Sequence, residues 1–188
     1  MPSLDKQFLL ALKEDYTKYN NFIESGTFYG ETTLAMEPFF NKLYTVEIKQ
    51  EFYTNFKNNY KGNKIEIFLG ESSDIFTEIL PSIQTPSIFF LDGHWSCGNT
   101  GKGKKDCPLY EELTSIINNF KYKAIIIIDD VRLFGMGPNT TYGKEPCNWE
   151  DINIPSILNI VKERVEMHYH LPSYLDINDR LILHLSQK

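Results

Sequence analysis

Residues 124–128 read Ala-Ile-Ile-Ile-Ile, with Tyr122 just before them and two aspartates just after. The run is far shorter than the roughly 20 apolar residues that a membrane helix requires. Nor does it alternate with polar residues, as a strand wetted on one face would. An unbroken β-branched stretch of this length fits a parallel strand buried on both faces, which places a strand over 122–128 near the middle of a sheet.

The rest of the chain supplies the partners for such a strand. Further strands are predicted at 21–27, 42–48, 64–69, 86–91, 165–170 and 180–185, the last two as an antiparallel pair joined by a turn at 171–179. Helical patterns separate them. Residues 5–20 read as a helix leading in, 31–40 has helical character, and Phe52, Tyr53, Phe56 and Tyr60 fall on one helical face. Ser72 or Ser73 is placed to cap a helix burying Ile75, Phe76, Ile79, Leu80 and Ile83, and Asp106 one burying Leu109, Leu113, Ile116, Ile117 and Phe120. Pro155 suits the first turn of a last helix through Arg164. Strands alternating with helices predict an α/β fold: a seven-stranded, Rossmann-like sheet, mostly parallel with an antiparallel C-terminal strand and helices on both faces. Seven strands use nearly all of 1–188, so a single domain is expected. Two polar loops, 93–107 and 131–151, directly follow strands, where α/β sheets place ligands.

Charge and cysteine content narrow the partners. The 25 acids against 19 bases give a net charge of −6, and the only basic cluster is Lys102, Lys104 and Lys105. No nucleic-acid partner is expected, because phosphate neutralisation needs a Lys/Arg surface. No membrane span or secretory leader is legible, which points to a cytoplasmic location. Three cysteines make a disulfide framework a poor explanation and reduced thiols the expectation. The sequon Asn139-Thr140-Thr141 is then accidental.

The residues that carry chemistry start at the exit of the first strand, in Glu24-Ser-Gly-Thr-Phe-Tyr-Gly30. Gly26 lets the backbone turn tightly and approach a ligand, while Gly30 lets the next helix pack close and present free amides. The G-x-G-x-x-G spacing of a dinucleotide site is absent. Glu47, at the end of the second strand, can accept from both hydroxyls of a ribose.

Together the Glu24/Gly26/Gly30 loop, Glu47, Gly-Glu-Ser-Ser-Asp at 70–74 and Leu-Asp-Gly-His-Trp at 91–95 resemble, in order and spacing, class I S-adenosylmethionine-dependent methyltransferases. The stretches Asp-Gly-His-Trp-Ser at 92–96, Asp-Cys-Pro-Leu-Tyr-Glu-Glu-Leu at 106–113 and Ile-Ile-Asp-Asp-Val at 127–131 are closest to the macrocin O-methyltransferase-like group. The resemblance implies S-adenosylmethionine held by Glu24, Gly26, Gly30, Thr32, Glu47, Ser72, Ser73 and Asp92. It implies Mg²⁺ on Asp92, Asp129 and Asp130, and methylation of a small hydroxylated acceptor such as a sugar, with Asp92 or His94 as base. Hard oxygen ligands suit Mg²⁺. Successive strand residues alternate faces, so Asp129 and Asp130 share a site only if the chain turns there. The alternatives are a metal-free site using the same aspartates, or one aspartate anchoring a loop.

Other constellations have competing readings. His94, Cys97, Cys107 and Cys147 could surround Zn²⁺, but their spacing fits no standard pattern. Residues 98–105 lack a phosphate-loop spacing and read as a lid whose lysines meet an anionic group on the substrate. Trp95, Tyr142 and Trp149 are either packing or flat surfaces for an acceptor, and His168, His170 and His184 read as structural. Related sugar methyltransferases carry extra N-terminal helices over the acceptor, so here the pocket is either open or completed by the second subunit of a homodimer. The rival function is a catalytically inactive methyltransferase-like domain that binds a nucleoside or a protein.

Overall fold

In a computed structural model, which describes residues 2–139 and 146–188, the chain forms one seven-stranded sheet. The strands are β1 (Asn21–Ser25), β2 (Lys42–Glu47), β3 (Ile65–Leu69), β4 (Ser87–Leu91), β5 (Ala124–Ile128), β6 (Val165–Leu171) and β7 (Arg180–Leu185). Their order is β3-β2-β1-β4-β5-β7-β6. All pairs are parallel except β5 with β7 and β6 with β7. The predicted architecture is therefore present, and β7 is the strand that runs against the rest.

The isoleucine run does what its composition dictates. Ala124, Ile126 and Ile128 enter one apolar layer, and Ile125 and Ile127 the other. The first layer is closed by α4 (Ser72–Ile79), α5 (Leu109–Asn119) and α6 (Ile154–Val161), through Phe76, Leu113, Ile116, Ile157 and Val161. The second is closed by α1 (Lys6–Ala11), α2 (Glu31–Met36) and α3 (Gln50–Asn59), through Leu9, Met36 and Phe56. Helices thus cover both faces. No helix among the described residues is long and apolar enough to cross a membrane.

Local expectations fail where tertiary contacts outweigh propensity. The N-terminal helix stops at Ala11 rather than Asn20, and of residues 13–19 only Tyr16–Lys18 form a single 3-10 turn. The segment is held by Glu14, which pairs with Lys123 at 2.9 Å and accepts from Tyr19 Oη at 2.8 Å. Neither Ser72 nor Ser73 is the cap of α4, since Glu71 takes that position and Ser72 is the first helical residue. Asp106 does not cap α5 either. Pro108 precedes that helix, and the Asp106 carboxylate accepts from Asn148 N at 2.9 Å and pairs with Lys102 at 2.9 Å.

Candidate functional site

From β1 the chain crosses to β2 on one side, and from β4 to β5 on the other, so the loops leaving β1 and β4 part at the sheet's topological switch point. Open α/β sheets bind their ligands in the crevice at such a point. A cleft of about 410 Å³ opens at that point, within the range of small-molecule sites. Among its walls are Ser3, Gly26, Glu47, Ser72, Asp92 and His94. Gly26 makes the junction possible. Its φ is +87°, and a β-carbon would overlap the carbonyl oxygen of Asp92. Gly30, at φ +79°, leaves room for the Phe56 ring of α3.

Glu47 reaches the cleft from the end of β2. Its Oε2 accepts from Phe28 N at 2.7 Å and its Oε1 from Lys49 N at 2.8 Å. The Ile48 amide is a further donor to the same carboxylate. Burial pushes the carboxyl above its ordinary value, against those N–H groups. Of the other residues assigned to the cofactor, four do not line the cleft. Glu24 is buried beneath the glycine loop, where Thr33 and Thr45 donate to it. Burial pushes it up to about 7, opposed by the two threonines. Gly30 faces Phe56, Thr32 Oγ1 accepts from Ser3 N at 2.9 Å, and the Ser73 carbonyl accepts from Ser115 Oγ at 2.9 Å. Ser72 Oγ does border the cleft and donates to Glu112 Oε1 at 2.5 Å. The β2 end of the cleft is lined by Gly26, Phe28, Val46, Glu47 and Ile48.

At the other end of the cleft Asp92 and His94 form the wall, and a set of charges outside the lining connects to them. β4 delivers Asp92 and His94, and β5 delivers Asp129 and Asp130. Asp130 adopts φ +61°, ψ +33°, the left-handed turn that two consecutive aspartates need if both are to face one region. Asp130 Oδ2 lies 2.8 Å from His94 Nε2, and Asp92 Oδ1 lies 3.6 Å from His94 Nδ1. The imidazole therefore has a carboxylate beside each nitrogen. Arg180, the first residue of β7, pairs with Asp129 Oδ1 at 3.1 Å. Arg132 bridges Asp130 and Asp179, the latter at 2.6 Å. Burial raises Asp92 well above the usual carboxylate range, and the charges of Asp129 and Asp130 add to the effect. Burial also pushes Asp130 up, but His94 and Arg132 more than offset it, and its carboxyl ends below the ordinary value.

This donor set was tested against Mg²⁺. Among the described residues the groups with ligand atoms within 4.8 Å of one another are Asp92–His94–Asp130 and Asp129–Asp130–Asp179. Asp92, Asp129 and Asp130 do not form one set. Asp129 and Asp130 each carry an arginine partner, which supplies the positive charge that a metal would otherwise bring. One of the two donors beside Asp92 is an imidazole nitrogen, a softer ligand than Mg²⁺ prefers. These residues do not fit the ion.

Four further side chains connect to the site without having been singled out from the sequence: Glu112, Arg132, Asp179 and Arg180. Glu112 did leave a signal, because it lies three residues after Leu109 and one before Leu113 on the buried stripe of α5, where a carboxylate is out of place. Trp149 is 2% exposed, with its ring edge-on to His94 at 4.7 Å between centroids, so it packs rather than presenting a flat surface. Trp95 carries Lys102 Nζ at 3.8 Å from its ring. Tyr142 and the Thr140-Thr141 part of the sequon lie outside the described residues. His184 is buried against Tyr169 Oη at 3.1 Å, His170 Nδ1 is 2.9 Å from Asn178 O, and His168 is exposed on β6.

Loop 93–107 is laid over the cleft: a β-carbon on Gly101 would meet Ile48, one on Gly103 would meet Glu71, and Lys49 Nζ donates to Asn99 O at 2.6 Å. The three lysines expected to meet a substrate anion have acids of this chain beside them: Asp106 for Lys102, Asp74 for Lys104 and Glu111 for Lys105. His94, Cys97, Cys107 and Cys147 do not gather around one point among the described residues.

No protein-family model matches the chain, and no curated protein matches it in sequence. Solved structures do resemble it. A Staphylococcus aureus protein described as a caffeoyl-CoA O-methyltransferase superposes with a TM-score of 0.63 at 15% identity, over 98% of this chain and 85% of that one. Human methyltransferase-like protein 13, solved in complex with SAH, gives 0.56 at 13% over 99% and 77%. An rRNA methylase from Streptococcus thermophilus gives 0.52 at 14% over 91% and 89%. The chain has the class I S-adenosylmethionine-dependent methyltransferase fold.

Proposed function

We propose that the protein is an S-adenosylmethionine-dependent O-methyltransferase acting on a small hydroxylated acceptor, a sugar or sugar-bearing metabolite, akin to the macrocin O-methyltransferase-like group. The observation that carries this reading is the Asp92–His94 pair at the wall of the cleft, with Asp130, outside the lining, held on His94 Nε2. The bound cofactor supplies a methyl group already activated by a sulfonium, which leaves positioning and deprotonation to the protein. Glu47 would accept from the ribose hydroxyls, and the approach of Gly26 to Asp92 keeps the recess narrow.

An alcohol is a poor nucleophile until its proton leaves. Asp130, ionised through His94 and Arg132, accepts from His94 Nε2 and so leaves Nδ1 as the basic nitrogen, in the manner of a carboxylate orienting a catalytic histidine. Nδ1 faces Asp92, whose raised proton affinity makes it the second acceptor at the same spot. No step is routed through Mg²⁺.

The test is incubation with labelled S-adenosylmethionine and a panel of sugars, phenols and nucleosides, with and without EDTA. Transfer to a hydroxyl, unaffected by EDTA, is expected. His94→Ala should lower turnover by roughly 10²–10⁴-fold while leaving S-adenosylhomocysteine affinity unchanged. Tight cofactor binding without transfer to any acceptor would favour the inactive-domain reading instead.

A further inference from the structure

The segments that follow β4 and β5 meet through sulfur. Cys97 lies half-buried in loop 93–107, and Cys147 is buried two residues ahead of Trp149. Their Sγ atoms are 3.2 Å apart, although 50 positions separate them in sequence. A disulfide bond is about 2.05 Å long, so roughly 1 Å of approach would close one. Cys97 also sits at φ +66°, a left-handed conformation rarely adopted by a residue other than glycine, which turns the loop at that point. The third cysteine is placed differently. Cys107 is packed into the core layer under α5, and burial pushes its thiol up to about 12.

We propose that Cys97 and Cys147 are a redox pair that closes into a reversible disulfide by exchange with a small-molecule disulfide of the oxidised-glutathione class. The more accessible Cys97 thiolate attacks one sulfur of that disulfide, forming a mixed disulfide and expelling one thiolate. The Cys147 thiolate then attacks the Cys97 sulfur and expels the second. The pair gives up two protons and two electrons, and one small-molecule disulfide is reduced to two thiols.

The consequence lies in what the two segments hold. Loop 93–107 rests on Ile48 and Glu71 across the cleft, and the residue two beyond Cys147 is Trp149, which backs His94. A bond between them fastens the cover of the cleft to the support of its histidine. The chemistry of the pair does not depend on the reaction assigned to the cleft.

The folded protein is treated with oxidised glutathione, quenched with N-ethylmaleimide in denaturant so that every remaining thiol is reached, and read by intact mass and by non-reducing peptide mapping. The expected product has lost about 2 Da, carries one maleimide on Cys107 and yields a linked Cys97–Cys147 peptide. Cys107→Ser should behave like the natural chain, and Cys147→Ser should stop at a single glutathione adduct on Cys97. Amide hydrogen exchange across 95–104 should slow in the oxidised protein and recover on reduction. A link that includes Cys107, an adduct that persists on Cys97 in the natural chain, no reaction in the folded state, or unchanged exchange across 95–104 would overturn the proposal. The mapping on the natural chain decides the matter even if Cys147→Ser, a buried substitution, fails to fold.

Discussion

The two ends of the cleft are built from different materials. Along β1 and β2 the walls are main chain: a glycine pressed against the Asp92 carbonyl, and the amides of Phe28 and Lys49 holding Glu47. Along β4 the wall is Asp92 and His94, joined to ion pairs outside the lining in which Asp129, Asp130 and Asp179 meet Arg132 and Arg180. A wall built mostly of main chain gives a fixed shape, which suits gripping a ligand. A balanced set of charges leaves one member free to change its protonation, which suits moving a proton.

The comparison breaks most visibly at the arginine. Arg180 and Asp129 are 7% and 8% exposed, and removing one partner of a buried pair strands the other. Arg180→Met should therefore cost about 3–5 kcal/mol of unfolding free energy in urea titration; a loss below about 1 kcal/mol would mean that the charged end is not balanced as described. Next comes the junction between the ends. Gly26→Ala adds a β-carbon against the Asp92 carbonyl at a positive φ, with an expected loss of about 3 kcal/mol by the same titration.

A third substitution separates shape from charge beneath the glycine loop. Glu24 is fully buried, and its folded pKa of about 7 lies above the unfolded value of 4.5. A group raised in this way contributes its stability below the unfolded value and loses it as pH rises through the folded one. The natural chain should therefore weaken between about pH 4.5 and 7 relative to Glu24→Gln, by up to roughly 3 kcal/mol. Thermal melts of both proteins across that range check the sign, and parallel curves would remove Glu24 as the titrating group.

The backbone-built end was the more legible of the two in sequence, for a physical reason. Glycines at turns and an acid at a strand end are local requirements, so Gly26 and Glu47 can be read from spacing, as can the isoleucine run whose burial needs no partner to be specified. The charged end is assembled across the sheet. Arg180 reaches Asp129 from 51 residues away, and nothing in the local pattern around either residue announces the pairing. The same holds for residues 13–19, whose helical pattern lost to the contacts of Glu14 with Lys123 and Tyr19. Helices α4 and α5 are legible through their buried stripes, whereas their N-caps, Glu71 and Pro108, make no side-chain capping bond and so carry no signal in sequence.

The smallest effect on the fold is expected at Glu47, and there the two ends should diverge most in function. Glu47→Ala removes an acceptor from two amides at the edge of an open cleft, where water can replace it, so stability should change by no more than about 1 kcal/mol. If Glu47 holds the ribose, each lost hydrogen bond to a charged acceptor is worth about 1.5–3 kcal/mol, and S-adenosylhomocysteine affinity should fall roughly 10–100-fold in a calorimetric titration. His94→Ala should do the reverse, sparing affinity and removing turnover. Unchanged affinity in Glu47→Ala would dissolve the division, because the β2 edge would then be no more a cofactor wall than the histidine is.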